Sequence, residues 1–135
     1  MSASAGADLA QRIEHIEAAY EYMLAFAAQG LSGDEASASV TQIRAELTRS
    51  GQAMDGLAAA LAAVVTAKGL RPAERYRAFI QVVERDTDQA NAAVQLVLSQ
   101  PRISSQLVDN LNALIHLRAV LTDLFLIDEI IRSHP

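Results

Sequence analysis

The chain contains no cysteine and no tryptophan, and only 4% of its 135 residues are aromatic. Without cysteine it can form no disulfide, no thiolate metal site and no thiol nucleophile. Hydrophobic residues nevertheless make up 51% of the chain, mostly as alanine, leucine, isoleucine and valine. This aliphatic composition favours helices around a packed core and is not that of a disordered chain.

Positive charge is also scarce, because 11 basic residues face 16 acidic ones and the net charge is −5. This balance argues against nucleic-acid binding, which depends on Lys and Arg to displace counterions. The longest apolar run, residues 57–65, is too short to span a bilayer. The first residues lack a basic region followed by an apolar run, so we expect no signal peptide and a cytoplasmic protein.

Motifs that carry catalysis or bind cofactors are missing too. The sequence has no Gly-x-Ser-x-Gly, no phosphate loop, no zinc-ligand spacing and no Glu-x-x-His. We therefore assign no catalytic residue, no metal site and no cofactor, and we favour a protein that is not an enzyme.

Apolar residues recur at helical spacing through most of the sequence, and no segment has the alternation typical of a strand. Gly30 and Gly69 suit left-handed helix ends, Pro72 suits a helix start, and Pro101 must follow a helix end. The pattern predicts an all-α fold, an antiparallel up-down bundle in which a flexible segment 1–6 precedes a single domain, 7–135. Its four long helices are predicted at about residues 7–29, 33–68, 72–99 and 104–132.

The second predicted helix is unusually long. Its apolar stripe keeps phase across Gly51 and Gly56, which favours one continuous helix. A break near Gly51 is the alternative, because glycine costs about 1 kcal/mol in a helix interior.

The last predicted helix is apolar nearly all round. Aligning the helices by their turns leaves helix 1 short of the end where this segment lies, so three helices meet there without a fourth. Large exposed aliphatic patches usually mark interaction surfaces, and two-fold dimers are the commonest assembly. We expect a homodimer, or docking of a second protein, through Leu61, Val65, Val120, Leu124, Phe125, Ile127 and Ile131.

Small and polar residues interrupt the stripes near mid-bundle. They either leave a ligand pocket or allow close helix packing with a few internal hydrogen bonds. The residues of this predicted pocket are Ser50, Met54, Asp86, Thr87, Asn91 and Ile115.

One basic cluster surrounds the turn between helices 2 and 3. It is a candidate site for an anion, although neutralisation by Asp128 and Glu129 of helix 4 is the interpretation that we prefer. The cluster consists of Lys68, Arg71, Arg75 and Arg77.

Two functions remain open from the sequence. The first is a non-enzymatic helical interaction protein, such as an adaptor, a chaperone-like protein or a small regulatory subunit, that self-associates through its C-terminal helix. The second is a small-molecule-binding bundle, or an enzyme, that uses the mid-bundle layer.

Overall fold

The structure, a computed structural model, describes residues 2–34 and 37–134. All regular elements in these ranges are helices, and no strand occurs in them. The helices are α1 (Ser2–Ala27), α2 (Ala38–Met54), α3 (Leu57–Lys68), α4 (Ala73–Leu98), α5 (Ser105–Ala113) and α6 (His116–Arg132). The all-α prediction is therefore confirmed, whereas an up-down bundle of four long helices is not, because six helices are found.

Helices 1 and 3 of the prediction correspond to α1 and α4. α1 begins at Ser2 rather than at residue 7, so residues 2–6 have helical backbone. The flexibility of segment 1–6 stays a prediction. α4 follows Pro72 closely, as expected.

Helix 2 of the prediction is wrong at its start and in its continuity. α2 begins at Ala38, where the Ser37 hydroxyl accepts a hydrogen bond from the Val40 N–H. The helix then stops at Met54, and Gly56 adopts a left-handed φ of 87° before α3 starts. Gly51, the alternative position for a break, lies inside α2.

Arg12 of α1 stabilises this break. Its Nη1 donates to the carbonyl oxygens of Ala53 (3.1 Å) and Asp55 (2.6 Å), at the end of α2 where carbonyls have no intrahelical partner. Its Nε donates to the Asp8 carboxylate one turn earlier on α1. A guanidinium held in this way places α1 directly against the turn between α2 and α3.

Helix 4 of the prediction is also divided in two. Ser104 caps α5, since its hydroxyl accepts from the Leu107 N–H. α5 ends at Ala113, because the extended backbone of Leu114 (ψ 139°) interrupts the helix, and α6 starts after Ile115. The break leaves the side chains of both Leu114 and Ile115 exposed.

The hydrogen bonds between α1 and α2 show that these two helices run antiparallel. Tyr22 of α1 donates to the Ser39 carbonyl near the start of α2, whereas Arg12 bonds near its end. α1 packs against α2, α3 and α5, and α4 packs against α2, α3 and α6. Every helix supplies fully buried side chains to one core: Ile16, Met23, Phe26, Ile43, Leu47, Leu57, Leu61, Val83, Val94, Val108 and Leu124.

The predicted uncovered end of the bundle is wrong. It assumed that α1 starts at residue 7 and that helix 2 is straight, but α1 is longer and the turn at Gly56 lays α3 against it. Leu57 and Leu61 are therefore completely buried by their own chain.

The left-handed φ of Gly56 makes a specific prediction. Gly56→Ala should lower the free energy of unfolding by about 1–2 kcal/mol, because a Cβ is strained in this conformation. Denaturant unfolding followed by circular dichroism measures the change.

Gly6→Ala is the matched control, since Gly6 lies within α1 and nothing would lie within 4 Å of its new Cβ. It should raise stability by about 0.5–1 kcal/mol. A Gly56→Ala variant at least as stable as the wild type, with more helix, would instead indicate one continuous helix from α2 through α3.

Candidate functional site: the outer face of α6 and its two grooves

The exposed apolar surface is concentrated on the last part of the chain. Among the residues that the structure describes, six large hydrophobic side chains are exposed, and four of them lie in residues 114–126. Phe125 and Leu126 are 56% and 53% exposed and sit side by side on α6. We call these two residues the α6 ridge. The other two exposed residues of this segment are Leu114 and Ile115.

A groove of about 370 Å³ runs along the Phe125 side of the ridge, between α1 and α6. We call it the α1/α6 groove. Its apolar walls are Tyr20, Leu121 and Phe125, and its charged groups are Glu17, Glu21 and Arg118. Arg118 therefore shares its surroundings with carboxylates of α1, an arrangement that the sequence did not indicate.

A second groove, of about 290 Å³, runs along the Leu126 side of the ridge, between α4 and α6. We call it the α4/α6 groove. Its lining is apolar apart from the two guanidinium groups of Arg71 and Arg75. The apolar lining consists of Pro72, Tyr76, Phe79, Leu126, Ile127 and Ile130.

The predicted interface residues divide into two groups. Phe125 is exposed and Ile131 is half-buried, so both can contact a partner without rearrangement. The remaining five lie in the core of their own chain: Leu61, Val65, Val120, Leu124 and Ile127. An interface through α6 stays a prediction, but its residues would be the α6 ridge and Ile131 in place of these five.

The predicted mid-bundle pocket does not converge on one cavity. Met54, Thr87 and Asn91 line a groove at the α2–α3 break, but Ser50 is fully buried and Ile115 is 66% exposed. The Ser50 and Thr87 hydroxyls both donate to carbonyls of their own helices. The sixth residue of the set, Asp86, faces α6.

Gly51 indicates how this layer is packed. A Cβ on Gly51 would lie 2.8 Å from Gln95 Nε2 and 3.0 Å from Asn91 Oδ1, so the glycine leaves room for the ends of these α4 side chains against α2. Gln95 Nε2 in turn donates to Asn91 Oδ1. Close packing with internal hydrogen bonds is thus the interpretation that this arrangement favours.

The basic cluster is not neutralised as we expected. Asp128 pairs with Arg132 on its own helix at 2.9 Å, and within residues 2–34 and 37–134 no carboxylate forms an ion pair with Arg71, Arg75 or Arg77. Arg71 and Arg75 line the α4/α6 groove. Lys68 Nζ instead donates to the His134 carbonyl oxygen, and Arg77 lines a groove between α3 and α4.

Two carboxyl groups meet between α4 and α6, at Asp86 and Asp123. Burial, followed by the hydrogen bond and the like charge of Asp86, raises the pKa of Asp123 from 3.8 to about 7. One carboxyl must carry a proton to donate this bond, and Asp123 Oδ2 is buried with no other donor among the described residues. Sequence reasoning placed Asp86 in the pocket and did not pair it with Asp123.

Comparison with protein-family models, curated proteins and solved structures found no match to this chain. None of the helices in the described parts of the chain is long and apolar enough to cross a membrane. The features of the structure that bear on function are therefore the outer face of α6, its two grooves and the carboxyl pair between α4 and α6.

The raised pKa of Asp123 predicts that stability falls as the pH rises. Because the folded chain retains a proton that the unfolded chain releases near pH 4, the stabilisation is complete below that pH and is lost as the pH approaches 7. We expect a loss on the order of 2 kcal/mol, since the partial exposure of Asp123 weakens the effect. Denaturant unfolding from pH 4 to pH 8 measures it.

Asp123→Asn should remove most of this slope, whereas Asp86→Asn should remove only the smaller part that its hydrogen bond and like charge contribute, since burial of Asp123 is the larger cause. Asp109→Asn, an exposed carboxylate of α5, controls for the general effect of adding an amide. If the slope were undiminished in both pair variants, the proton would not be held between Asp86 and Asp123.

Proposed function

We propose that this chain is a non-enzymatic helical interaction protein that self-associates in the cytoplasm through the outer face of α6. The observation that carries the proposal is the α6 ridge, where two adjacent large hydrophobic side chains are more than half exposed. In this proposal the helices form an up-down bundle. The pair α2 and α3 takes the place of one long helix, and the pair α5 and α6 takes the place of another.

The energetics of the ridge support a protein partner. Covering a large apolar side chain contributes about 1.5–3 kcal/mol, and single exposed leucines need no explanation but adjacent ones form a patch. The α1/α6 groove beside the ridge gives a facing helix room to place its own side chains. A second copy is the simplest partner, because a two-fold dimer covers the patches of both protomers at once.

The alternative, a ligand-binding bundle or enzyme that uses Ser50, Thr87 and Asn91, has less support. Both hydroxyls of this layer are bonded within their own helices, and Asn91 is bonded to Gln95. A buried polar group that already has its partner offers little to a ligand.

Self-association is tested by replacing the aromatic side chain of the ridge. Phe125→Asp should raise the dimer dissociation constant at least tenfold, because it removes the buried ring and desolvates a charge instead. Sedimentation equilibrium at several concentrations measures the constant.

Leu96→Asp is the matched control, since Leu96 on α4 is 66% exposed but lies outside residues 114–126. Its dissociation constant should equal that of the wild type. A dissociation constant of about 1 µM would give mostly dimer at about 100 µM. The proposal is refuted if the wild-type chain is still monomeric at that concentration.

A further inference from the structure

The α4/α6 groove shares its two-arginine charge with the groove between α3 and α4, but of these two grooves only the α4/α6 groove is lined by aromatic side chains, Tyr76 and Phe79. Along α4, Pro72, Tyr76 and Phe79 follow one another at spacings of four and three residues, so they present one continuous apolar strip. Leu126, Ile127 and Ile130 of α6 form the opposite wall. The α4/α6 groove therefore has apolar walls from two antiparallel helices.

The charge of this groove comes only from arginine. Arg71 precedes α4 and Arg75 lies in its first turn, so both guanidinium groups are at the N-terminal end of the apolar strip. Neither has an ion-pair partner in the described ranges, and the nearby Asp128 is engaged by Arg132. In a chain with a net charge of −5, this makes an uncompensated positive site.

We propose that the α4/α6 groove binds a single-chain amphipathic carboxylate of the fatty-acid type. The alkyl chain lies between Phe79 and Leu126, and the carboxylate accepts hydrogen bonds from Arg71 and Arg75, whose planar forks match its two oxygens. The volume of about 290 Å³ is at the lower limit of small-molecule pockets, which suits one short alkyl chain.

The α1/α6 groove provides an internal comparison. It has a similar apolar content, but Glu17 and Glu21 face its single arginine, Arg118. Two carboxylates repel an anionic ligand, so an amphipathic anion should prefer the α4/α6 groove although both grooves border the same ridge. This contrast separates specific binding from adsorption to any exposed apolar surface.

Titration with sodium decanoate, at concentrations below micelle formation, tests the inference. Isothermal titration calorimetry should show one site on the wild-type chain, and nitrogen–proton correlation spectra should show the shifts concentrated at residues 71–79 and 126–130. Octanoate should bind roughly tenfold more weakly than decanoate, because it buries two fewer methylene groups. Decanol, which has the chain without the charge, should also bind at least tenfold more weakly.

Two variants and two controls decide which groups hold the ligand. Arg71→Gln/Arg75→Gln should weaken decanoate binding at least tenfold, whereas Arg118→Gln in the other groove should not. Leu126→Glu should abolish binding by placing a negative charge in the groove, and Leu96→Glu should leave it unchanged. All five substituted residues are exposed, so each variant should fold.

The proposal is overturned if decanoate binds Arg71→Gln/Arg75→Gln as tightly as the wild type, or if the shifts centre on the α1/α6 groove. It is also overturned if decanoate fails to bind the wild-type chain, and a change of association state in the arginine double variant would then show that the groove holds a protein. Phe125 lies outside this groove, so decanoate should bind Phe125→Asp as it binds the wild type. Repeating the titration with this variant therefore tests ligand binding separately from the proposed self-association.

Discussion

The contact between Arg12 and the end of α2 determines how the helices are arranged. Its guanidinium supplies donors to two carbonyl oxygens that would otherwise have none, at the point where Gly56 turns the chain through a left-handed conformation. α3 therefore packs against both α1 and α4. A straight helix through this region would carry Leu57 and Leu61 away from α1, whereas in the structure both are fully buried.

Because α1 and α4 cover α3, the apolar surface that remains exposed lies mainly on the last part of the chain, which includes α6. Aliphatic residues nearly all round this helix cannot all face one core, and Leu124 and Ile127 occupy the inward positions. Phe125 and Leu126, which follow Leu124 directly, must then point outward. The break at Leu114 adds two more exposed side chains to the same segment of the chain. The outer face of α6 is thus a consequence of its composition and of how the other helices pack.

The sequence predicted those features that residues of unusual conformation determine. Gly69 and Ser104 mark helix ends where we expected them, and Pro72 precedes α4. It favoured a continuous helix and offered Gly51 as the alternative break, whereas the break lies at Gly56, because its place depends on α4 side chains beside Gly51 and on Arg12 beside Gly56. The break at Leu114 has no local signal at all, since no glycine or proline lies there. For the same reason the sequence placed Asp86 in the mid-bundle pocket and did not pair it with Asp123 of α6.

The polar contact that joins α6 to α4 is between two carboxyl groups and is not an ion pair. Of the ion pairs in residues 2–34 and 37–134, three lie within single helices and the fourth, Arg102–Asp34, joins two loops, so none attaches α6 to a neighbour. Its polar link to α4 is the carboxyl pair, which repels when both members ionise. Along α4, Asp86 lies about 10 Å beyond Phe79, at 1.5 Å per residue. Proton binding at the carboxyl pair and a ligand in the α4/α6 groove would therefore both act on the contact between α4 and α6.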